Sequence, residues 1–385
     1  MTEISEIPSL LVKSGGKTIN LTFKNDILSI VKLKNSSPNK FNNSISVEIK
    51  VLVPGKKLRL TNFIFEVITA EQAASWVELV RDAAYKNSKP NKHLKLVINP
   101  VSGKGGAEKI FNKDVKPIFD AASCTYDITR TERVNQANEL MRTLDLKNYD
   151  AIICVGGDGT MYEVMNGILS REDAVDVTIP LGTIPTGNAL NISLHGDSHG
   201  SDVAQSTLTI IKGVPMKIDI CSVTQGDKRF FSFLTQSYGI VADCDLGTEN
   251  MRWMGDIRFI IGTVQGILAG RRYEDWEILN DDLYLFYCGK TPWVSKEFII
   301  FPCALPSDGL MDLVIIKRDG ISKTKFINLL KCASTGAHIN FNENRQDGYI
   351  GIDGERVPFE PFQVEVLPRL ITLLSVDGNY CHVNI

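Results

Sequence analysis

The sequence predicts a doubly wound α/β domain followed by an antiparallel β-sandwich, with a small β-rich module preceding both. Two observations support this fold class. Strand and helix patterns alternate through one central stretch, and short strand patterns separated by turn residues fill the regions on either side. A chain of 385 residues is long enough for two or three domains. We therefore expect the β-rich module over residues 1–88, the α/β domain over 94–214 and the β-sandwich over 215–385.

The N-terminal module is predicted from five strand-like runs within residues 8–68, separated by Gly, Asn, Pro and Ser turns. A helical pattern follows, with apolar residues at Ala73, Trp76, Val77, Val80 and Ala84. Strands closed by one Trp-bearing helix resemble a pleckstrin-homology module, and an unspecialised β cap fits the pattern equally well. Residues 1–69 contain ten Lys and Arg against five Asp and Glu. This module either faces an anionic surface or simply carries a solvated lysine-rich face.

The central domain begins at "LKLVINP", an apolar run typical of a buried strand. A helix is predicted over 107–122, and Thr131 is the predicted N-cap of the next helix. The strand "YDAIICVGG" then leads into a helix with one apolar face, formed by Met161, Val164, Met165, Ile168 and Leu169. Because strands and helices alternate, the strands should be parallel, with helices on both faces of the sheet.

The C-terminal domain is predicted from eight strand patterns spaced by turn signals after residue 215. Helical patterns interrupt these strands over 249–270 and 323–333. The Asp-Gly pairs in "SDGL", "RDGI" and "VDGN" are interpreted as turns, because Asp-Gly is favoured in tight β-hairpins. Short strands at this spacing predict an antiparallel sandwich.

Composition excludes several classes of protein. A net charge of −3 provides no general attraction for nucleic acid. Eight cysteines occur without a C-x-x-C pair, which argues against a zinc or redox motif and favours a reduced, intracellular protein. The N-terminus lacks a signal-peptide pattern, and no run approaches the roughly 18 apolar residues of a membrane span. We therefore expect a cytoplasmic protein.

Three glycine-rich loops follow predicted strands of the central domain: "NPVSGKGG" (99–106), "GGDGT" (156–160) and "GTIPTGN" (182–188). Glycine allows backbone N–H groups to turn inward as an anion-binding nest, and a helix N-terminus adds partial positive charge. Because the carboxyl ends of parallel strands share one edge of a sheet, the three loops together predict a polyphosphate site. Neither a Walker A motif nor G-x-G-x-x-G is present in them, which excludes a P-loop NTPase and a standard dinucleotide fold.

Five sequence blocks occur in the order "LVINPVSGKGGAEKIF", "TRTERVNQANEL", "AIICVGGDGTMYEVMNGIL", "SYGIVADCDLGTENMRWMGDIRF" and "IDGER". This order resembles the diacylglycerol and sphingosine kinase superfamily, and the third and fourth blocks are most similar to sphingosine (long-chain base) kinases. The resemblance covers about residues 94–385. It implies an ATP- and Mg²⁺-dependent lipid kinase that binds nucleotide between the α/β domain and the β-sandwich, and lipid in the sandwich.

The resemblance also implies which residues form the site. Asp158 would be the general base, because a carboxylate beside the phosphates can accept the proton of the attacking hydroxyl. Glu355 would lie beside Mg²⁺, which needs only one or two carboxylates together with phosphate oxygens. The implied nucleotide contacts are Asn99, Ser102, Gly103, Lys104, Gly105, Thr131, Glu132, Arg133, Gly156, Gly157, Gly159, Glu163, Thr186, Gly187, Asn188, Arg252, Arg258, Asp353, Gly354 and Glu355.

Lipid contacts are implied further along the chain. Asp245 matches the residue that recognises the polar head of the long-chain base, and Asp243 lies on the same face if the segment is extended. Two carboxylates suit the cationic amine of a sphingoid base, whereas diacylglycerol and ceramide carry no such charge; the same pair also suits a cap on the next helix. A helix that resembles the wall of the acyl-chain channel, and equally fits core packing, contains Phe259, Ile260, Val264, Ile267 and Leu268.

The sequence thus predicts phosphorylation of the primary hydroxyl of a sphingoid base, with transient contact to a membrane surface and no nucleic acid partner. The preferred base and the oligomeric state stay open. A diacylglycerol or ceramide kinase is the nearest alternative. A noncatalytic lipid-binding scaffold is favoured only by the third glycine-rich loop, which is two residues shorter than is usual in the superfamily. NAD kinase shares "GGDGT", but its Asn-Glu motif does not occur where "GNAL" stands.

Overall fold

The computed structural model describes residues 10–14, 17–21, 30–35, 45–53, 58–67, 69–85, 88–102, 106–186, 189–196, 202–239, 283–295, 298–317, 350–358, 360 and 362–381. The helices predicted over 249–270 and 323–333 lie outside these residues. Of the helices in the described part, none combines the length and the apolar character needed to cross a membrane.

The N-terminal module is a five-stranded antiparallel sheet with one helix against it. The strands have the order β2-β1-β5-β4-β3 in the sheet. Helix α1 (Ala70–Ala84) buries Trp76 and Val80 against Val47 and Ile49 of the sheet. The five strands are β1 (Leu10–Ser14), β2 (Lys17–Leu21), β3 (Ile30–Asn35), β4 (Ile45–Val53) and β5 (Arg59–Val67). The predicted strands and closing helix are confirmed, while the pleckstrin-homology resemblance stays a prediction.

The central region contains four parallel strands in the order β9-β8-β6-β7. They are β6 (His93–Ile98), β7 (Thr125–Arg130), β8 (Ala151–Gly156) and β9 (Leu181–Pro185). The predicted helix over 107–122 consists of two short α-helices joined by a π-helical turn at Phe111–Val115. The helices are α2 (Ala107–Ile110), α3 (Lys116–Ala121), α4 (Gln136–Thr143), α5 (Asp158–Leu169), α6 (Ala189–His195) and α7 (Val203–Lys212).

Helices cover both faces of this sheet, as the strand alternation requires. Leu94, Leu96 and Ile98 of β6 pack in a core with residues of α2, α3 and α7, while Val97 packs in a second core with residues of α4 and α5. Successive side chains of a strand point to opposite faces, so two separate apolar layers are needed. The doubly wound α/β prediction is therefore confirmed.

The predicted start of α4 is wrong. The helix begins at Gln136, and its N-cap is Asn135, whose φ of 67° lies in the left-handed region. Thr131 instead continues from β7, and its N–H donates to the carbonyl of Ile98. Asparagine tolerates the left-handed conformation better than most residues, which explains why the turn into the helix occurs at Asn135.

After α7, all of the regular secondary structure in the described residues is β-strand. They are β10 (Val214–Gln225), β11 (Lys228–Ser232), β12 (Thr235–Gly239), β13 (Leu283–Gly289), β14 (Trp293–Ser295), β15 (Phe298–Ile299), β16 (Asp312–Lys317), β17 (Ile350–Ile352), β18 (Glu355–Val357) and β19 (Gln363–Ser375). Five of them form an antiparallel sheet with the order β16-β13-β12-β17-β18. Separate antiparallel sheets are thus confirmed, and a sandwich arrangement stays a prediction.

The α/β sheet continues across the predicted boundary at residue 214. Strand β19 lies between β9 and β10, parallel to the first and antiparallel to the second, which gives the order β11-β10-β19-β9-β8-β6-β7. Ile371 and Leu373 of β19 are buried in the core shared with α4 and α5. The C-terminal part of the chain therefore completes the central sheet.

Candidate active site

The three glycine-rich loops meet at the carboxyl edge of the parallel sheet. Ser102 is the link between them: its Oγ accepts a hydrogen bond from Gly157 N at 2.6 Å and lies 3.1 Å from Thr186 Oγ1. Asn99 Nδ2 also donates to Thr160 Oγ1 at 3.3 Å. The first loop therefore contacts both the second and the third, as the common edge of the sheet predicted.

Close packing explains one of the glycines in the second loop. A Cβ atom on Gly156 would lie 2.5 Å from Thr160 Oγ1, well inside van der Waals contact. Gly157 then caps α5 with an extended backbone, and its carbonyl accepts the N–H of Thr160. This tight turn places Asp158 in the first turn of α5, where the helix dipole favours a negative charge.

The carboxylate of Asp158 binds the start of a different helix. Its Oδ2 accepts the N–H of Ala189 at 2.7 Å, and its Oδ1 accepts the N–H of Leu190 at 3.3 Å. Both donors belong to the first turn of α6, which follows the third loop directly. Asp158 therefore joins the second loop to the third.

Burial raises the pKa of Asp158 to about 7, and the charge of Asp353 contributes in the same direction. The two backbone hydrogen bonds favour the ionised form and oppose this rise in pKa without cancelling it. A carboxyl group that titrates near neutral pH can take up a proton and release it again. Such a pKa is suited to general-base catalysis.

The "IDGE" segment is a tight hairpin between β17 and β18. Asp353 and Gly354 both have positive φ, 51° and 79°, as a two-residue type I′ turn requires. The carboxylate of Asp353 is buried and accepts four hydrogen bonds within 2.6–2.9 Å, from Ser232 Oγ and from the N–H groups of Phe233, Leu234 and Thr235. Asp353 thus fastens the hairpin to the turn between β11 and β12.

Glu355 returns from this hairpin to the first turn of α5. A Cβ atom on Gly159 would lie 3.0 Å from Glu355 Oε1, so the glycine leaves room for the carboxylate. The pKa of Tyr162, one turn further along α5, is raised by burial and also by the charges of Asp353 and Glu355. The carboxylates of Asp353 and Glu355 therefore lie near the start of α5, which carries Asp158.

The carboxylate oxygens near the start of α5 suit a Mg²⁺ ion that makes only a few contacts with the protein. Mg²⁺ usually keeps several waters and takes one or two carboxylates together with substrate phosphates. Among the described residues, no group of three or more His, Cys, Asp or Glu side chains is arranged to hold a metal ion by itself. Glu355 is an exposed carboxylate beside Gly159 and could serve as such a ligand.

Glu163, which the sequence predicts as a nucleotide contact, binds the start of a neighbouring helix. Its carboxylate accepts the N–H groups of Asn135 and Ala137, at 2.8 and 3.0 Å, and so caps the start of α4. Glu163 therefore holds the 131–135 segment against α5. Within that segment, the N–H of Glu132 donates to Gln136 Oε1, and the exposed guanidinium of Arg133 is paired with Glu139.

The sequence of this chain is similar to those of known proteins. Residues 93–223 match the family model of the diacylglycerol kinase catalytic domain. Sphingosine kinase 1 of Homo sapiens is 34% identical to this chain, and the aligned region covers 73% of this chain and 90% of the human protein. The chain belongs to the sphingosine kinase family.

One further relative agrees with this placement, and one solved structure shares the fold. Sphingoid long chain base kinase 5 of Saccharomyces cerevisiae is 28% identical, and the match covers 79% of this chain and 62% of the yeast protein. A crystal structure of a putative diacylglycerol kinase from Bacillus anthracis str. Sterne, 21% identical, has a TM-score of 0.57 and covers 75% of this chain and 97% of its own. The chain is a lipid kinase of the diacylglycerol kinase superfamily.

Many of the site residues predicted from the sphingosine kinase resemblance lie outside the described residues. This applies to parts of the first and third glycine-rich loops, to both arginines and to the whole predicted lipid site. These residues are Gly103, Lys104, Gly105, Gly187, Asn188, Asp243, Asp245, Arg252, Arg258, Phe259, Ile260, Val264, Ile267 and Leu268.

A buried ion-pair network was missed in the sequence. Lys290 Nζ lies 3.1 Å from Asp219 Oδ2 and 3.0 Å from Asp308 Oδ1, and it also donates to the carbonyl of Leu310. Lys290 and Asp219 are almost fully buried, with 2% and 0% of their side chains exposed. Asp308 belongs to "SDGL", which does form a turn, since its Oδ1 accepts Leu310 N at 3.0 Å. Asp308 also pairs with Lys290, and the bond from Lys290 to Asp219 joins the end of β13 in the five-stranded sheet to β10 in the seven-stranded sheet.

Proposed function

We propose that this chain transfers the γ-phosphoryl group of ATP to the primary hydroxyl of a sphingoid base. The observation that carries the proposal is the position of Asp158, whose pKa is raised to about 7, at the junction of the glycine-rich loops and next to the hairpin that bears Glu355. Relatives named sphingosine kinase and sphingoid long chain base kinase support the choice of substrate. The nearest alternative is a diacylglycerol or ceramide kinase.

The glycine-rich loops would bind the phosphates of ATP. Ser102 and Thr186 contribute hydroxyl groups, and the start of α5 contributes backbone N–H groups and the positive end of its dipole. Gly103, Lys104, Gly105, Gly187, Asn188, Arg252 and Arg258 are proposed to complete these contacts. Phosphoryl transfer depends mainly on such positioning and charge stabilisation.

Asp158 would accept the proton of the lipid hydroxyl as that oxygen attacks. The hydroxyl oxygen forms a bond to the γ-phosphorus, the bond from that phosphorus to the β–γ bridging oxygen breaks, and ADP leaves. The proton moves to the carboxylate of Asp158, whose pKa near 7 allows it to return to water afterwards. General-base assistance of this kind is typically worth about 10²–10⁴-fold in rate.

Mg²⁺, when bound, would neutralise charge on the ATP phosphates. Glu355 is proposed as a ligand because its carboxylate lies at Gly159, on the same turn as Asp158. Asp353 acts indirectly, because its own oxygens are occupied by the turn between β11 and β12. Asp353 would keep the Glu355 hairpin in place and add negative charge near Asp158.

Asp243 and Asp245 are proposed to bind the amine and hydroxyl of the sphingoid head. Two carboxylates would favour the cationic amine of a sphingoid base over an uncharged lipid head. Access to a lipid implies transient binding to a membrane surface by a cytoplasmic protein, through the basic residues of the 1–88 module or the 258–270 segment.

Transfer of labelled phosphate from ATP to a panel of lipids tests this function. The panel contains sphingosine, diacylglycerol and ceramide, with NAD as a non-lipid acceptor. We expect product on sphingosine, a loss of at least about tenfold for Asp245→Ala, and no loss for the control Asp227→Ala in an exposed turn. Product on diacylglycerol or ceramide but none on sphingosine would support the alternative substrate. No product on any acceptor would support a noncatalytic scaffold.

A further inference from the structure

Asn166 is a buried polar residue among the buried apolar residues of the second half of α5. Its side-chain amide forms a two-sided pair with the backbone of Phe231 in β11: Nδ2 donates to the carbonyl of Phe231 at 2.8 Å, and Oδ1 accepts the N–H of Phe231 at 2.8 Å. Nδ2 also donates to the carbonyl of Tyr162 within the helix. A buried amide is tolerated only when its donor and acceptor are both satisfied, and here both bonds to another element come from one residue.

Phe231 directly precedes the residues that hold Asp353. Ser232 Oγ and the N–H groups of residues 233–235 donate to the Asp353 carboxylate. The hairpin anchored in this way brings Glu355 back to Gly159 of α5. The contacts form a closed loop that leaves α5 at Asn166 and returns to it at Gly159.

The two contacts on α5 are seven residues apart, which corresponds to about 10 Å along the helix axis. A single rigid helix therefore fixes both ends of the loop of contacts. Sliding or tilting of β11 against α5 would move the Asp353 anchor and, through it, the carboxylate of Glu355. The two hydrogen bonds between the Asn166 amide and the backbone of Phe231 would oppose that movement where β11 contacts α5.

We propose that Asn166 is a positioning residue for phosphoryl transfer, acting through Phe231 and the Asp353 anchor on the carboxylate of Glu355. This role rests on the proposed function of Glu355 as a Mg²⁺ ligand. Asn166 contacts neither nucleotide nor lipid in this scheme. Its loss should therefore change turnover and Mg²⁺ dependence more than lipid affinity, because only the placement of Glu355 is disturbed.

A double-mutant cycle separates this role from simple packing. Sphingosine phosphorylation is measured over a range of Mg²⁺ concentrations for the wild type, Asn166→Leu, Glu355→Gln and the double variant. We expect Asn166→Leu alone to lower kcat by about 10–10²-fold and to raise the Mg²⁺ concentration needed for half-maximal activity. In the Glu355→Gln background the same substitution should lower kcat by less than about threefold, because coupled sites are not additive.

Asn138→Leu is the matched control. Asn138 is another buried asparagine, on α4, and its Oδ1 accepts a bond from Arg142 of the same helix. We expect this variant to lose thermal stability and to keep the Mg²⁺ dependence of the wild type. Should Asn166→Leu fold poorly, Asn166→Asp keeps the size of the side chain, and hydrogen exchange of segments 228–235 and 350–357 reports whether they loosen.

Three outcomes would overturn the positioning role: equal kcat losses in both backgrounds, unchanged Mg²⁺ dependence, or unchanged hydrogen exchange of those two segments in Asn166→Asp. Full activity of Glu355→Gln would also overturn it, together with the proposed Mg²⁺ ligand, while leaving the kinase assignment intact. A wild-type protein that does not phosphorylate sphingosine would instead contradict the proposed function itself.

Discussion

Replacing Asp158 by asparagine preserves the shape of the side chain but removes its charge and its capacity to accept a proton. The wild-type carboxylate accepts hydrogen bonds from the N–H groups of Ala189 and Leu190. The amide oxygen of an asparagine can keep one of these bonds, but its NH₂ group cannot accept the other. Loss of one such bond costs about 1 kcal/mol of folding stability.

The raised pKa determines how the change in stability depends on pH. The carboxyl group titrates at its ordinary value of 3.8 in the unfolded chain and at about 7 in the folded protein. As pH rises between these values the unfolded chain releases its proton first, so the ionisation destabilises the folded state increasingly. Above pH 7 this penalty reaches about 4 kcal/mol, from about 1.4 kcal/mol per pH unit, and below pH 3.8 it is absent.

We therefore expect Asp158→Asn to be more stable than the wild type by about 3 kcal/mol at pH 8, and less stable by about 1 kcal/mol below pH 4. Urea denaturation across this pH range measures both differences. At pH 8, where the wild-type base is ionised, sphingosine phosphorylation by the variant should be about 10²–10⁴-fold slower than by the wild type. The kcat of the wild type should rise with pH and level off above about pH 7, as the base becomes ionised.

Two results would contradict the proposed role and the raised pKa of Asp158. Phosphorylation by Asp158→Asn at the wild-type rate would show that Asp158 is not the base. A variant less stable than the wild type at every pH would show that the two bonds to α6 matter more than the cost of burying the charge. In that case Asp158 would serve mainly to cap α6, and its pKa would lie closer to the ordinary value.

Three other substitutions test separate parts of the structure. Gly159→Ala should reduce kcat by about tenfold and raise the Mg²⁺ requirement, because its Cβ would lie 3.0 Å from Glu355 Oε1; an unchanged Mg²⁺ titration would argue against this contact. Lys290→Met should lower the free energy of unfolding by about 3–5 kcal/mol, because Asp219 is left buried without its counter-charge; denaturation with no such loss would contradict the buried pair. Glu163→Gln should raise the KM for ATP severalfold, since one of its two bonds to the start of α4 is lost; an unchanged KM would separate that segment from nucleotide binding.

Local sequence patterns were sufficient for most secondary structure in the described residues. The apolar residues from Met161 to Leu169 predicted α5, and all five are buried as expected. The start of α4 could not be predicted in this way, because both Thr131 and Asn135 are suitable N-cap residues. What favours the later start is the carboxylate of Glu163, which accepts the N–H groups of Asn135 and Ala137 from a different helix.

Local sequence patterns also could not predict how the strands pair. The patterns "FQVEVLP" and "ITLLSVDG" predict two strands where the structure has the single strand β19. Neither pattern indicates its place between β9 and β10, since an apolar strand fits the core of either sheet. The "IDGE" turn likewise has the local signature of a hairpin, and it is one. Nothing in those four residues indicates that the Asp353 carboxylate is buried against residues 232–235.

Local residue patterns are enough to predict the chemical groups of the site: glycine loops able to bind phosphate, an aspartate at the start of a helix, and the order of motifs typical of the sphingosine kinase family. They do not predict how these groups are held. Asp158 binds α6, Asp353 secures a hairpin, and Glu355 reaches Gly159 because strand order and hairpin closure bring distant segments together. Such contacts depend on the register of whole sheets, and no local pattern of residues encodes that register.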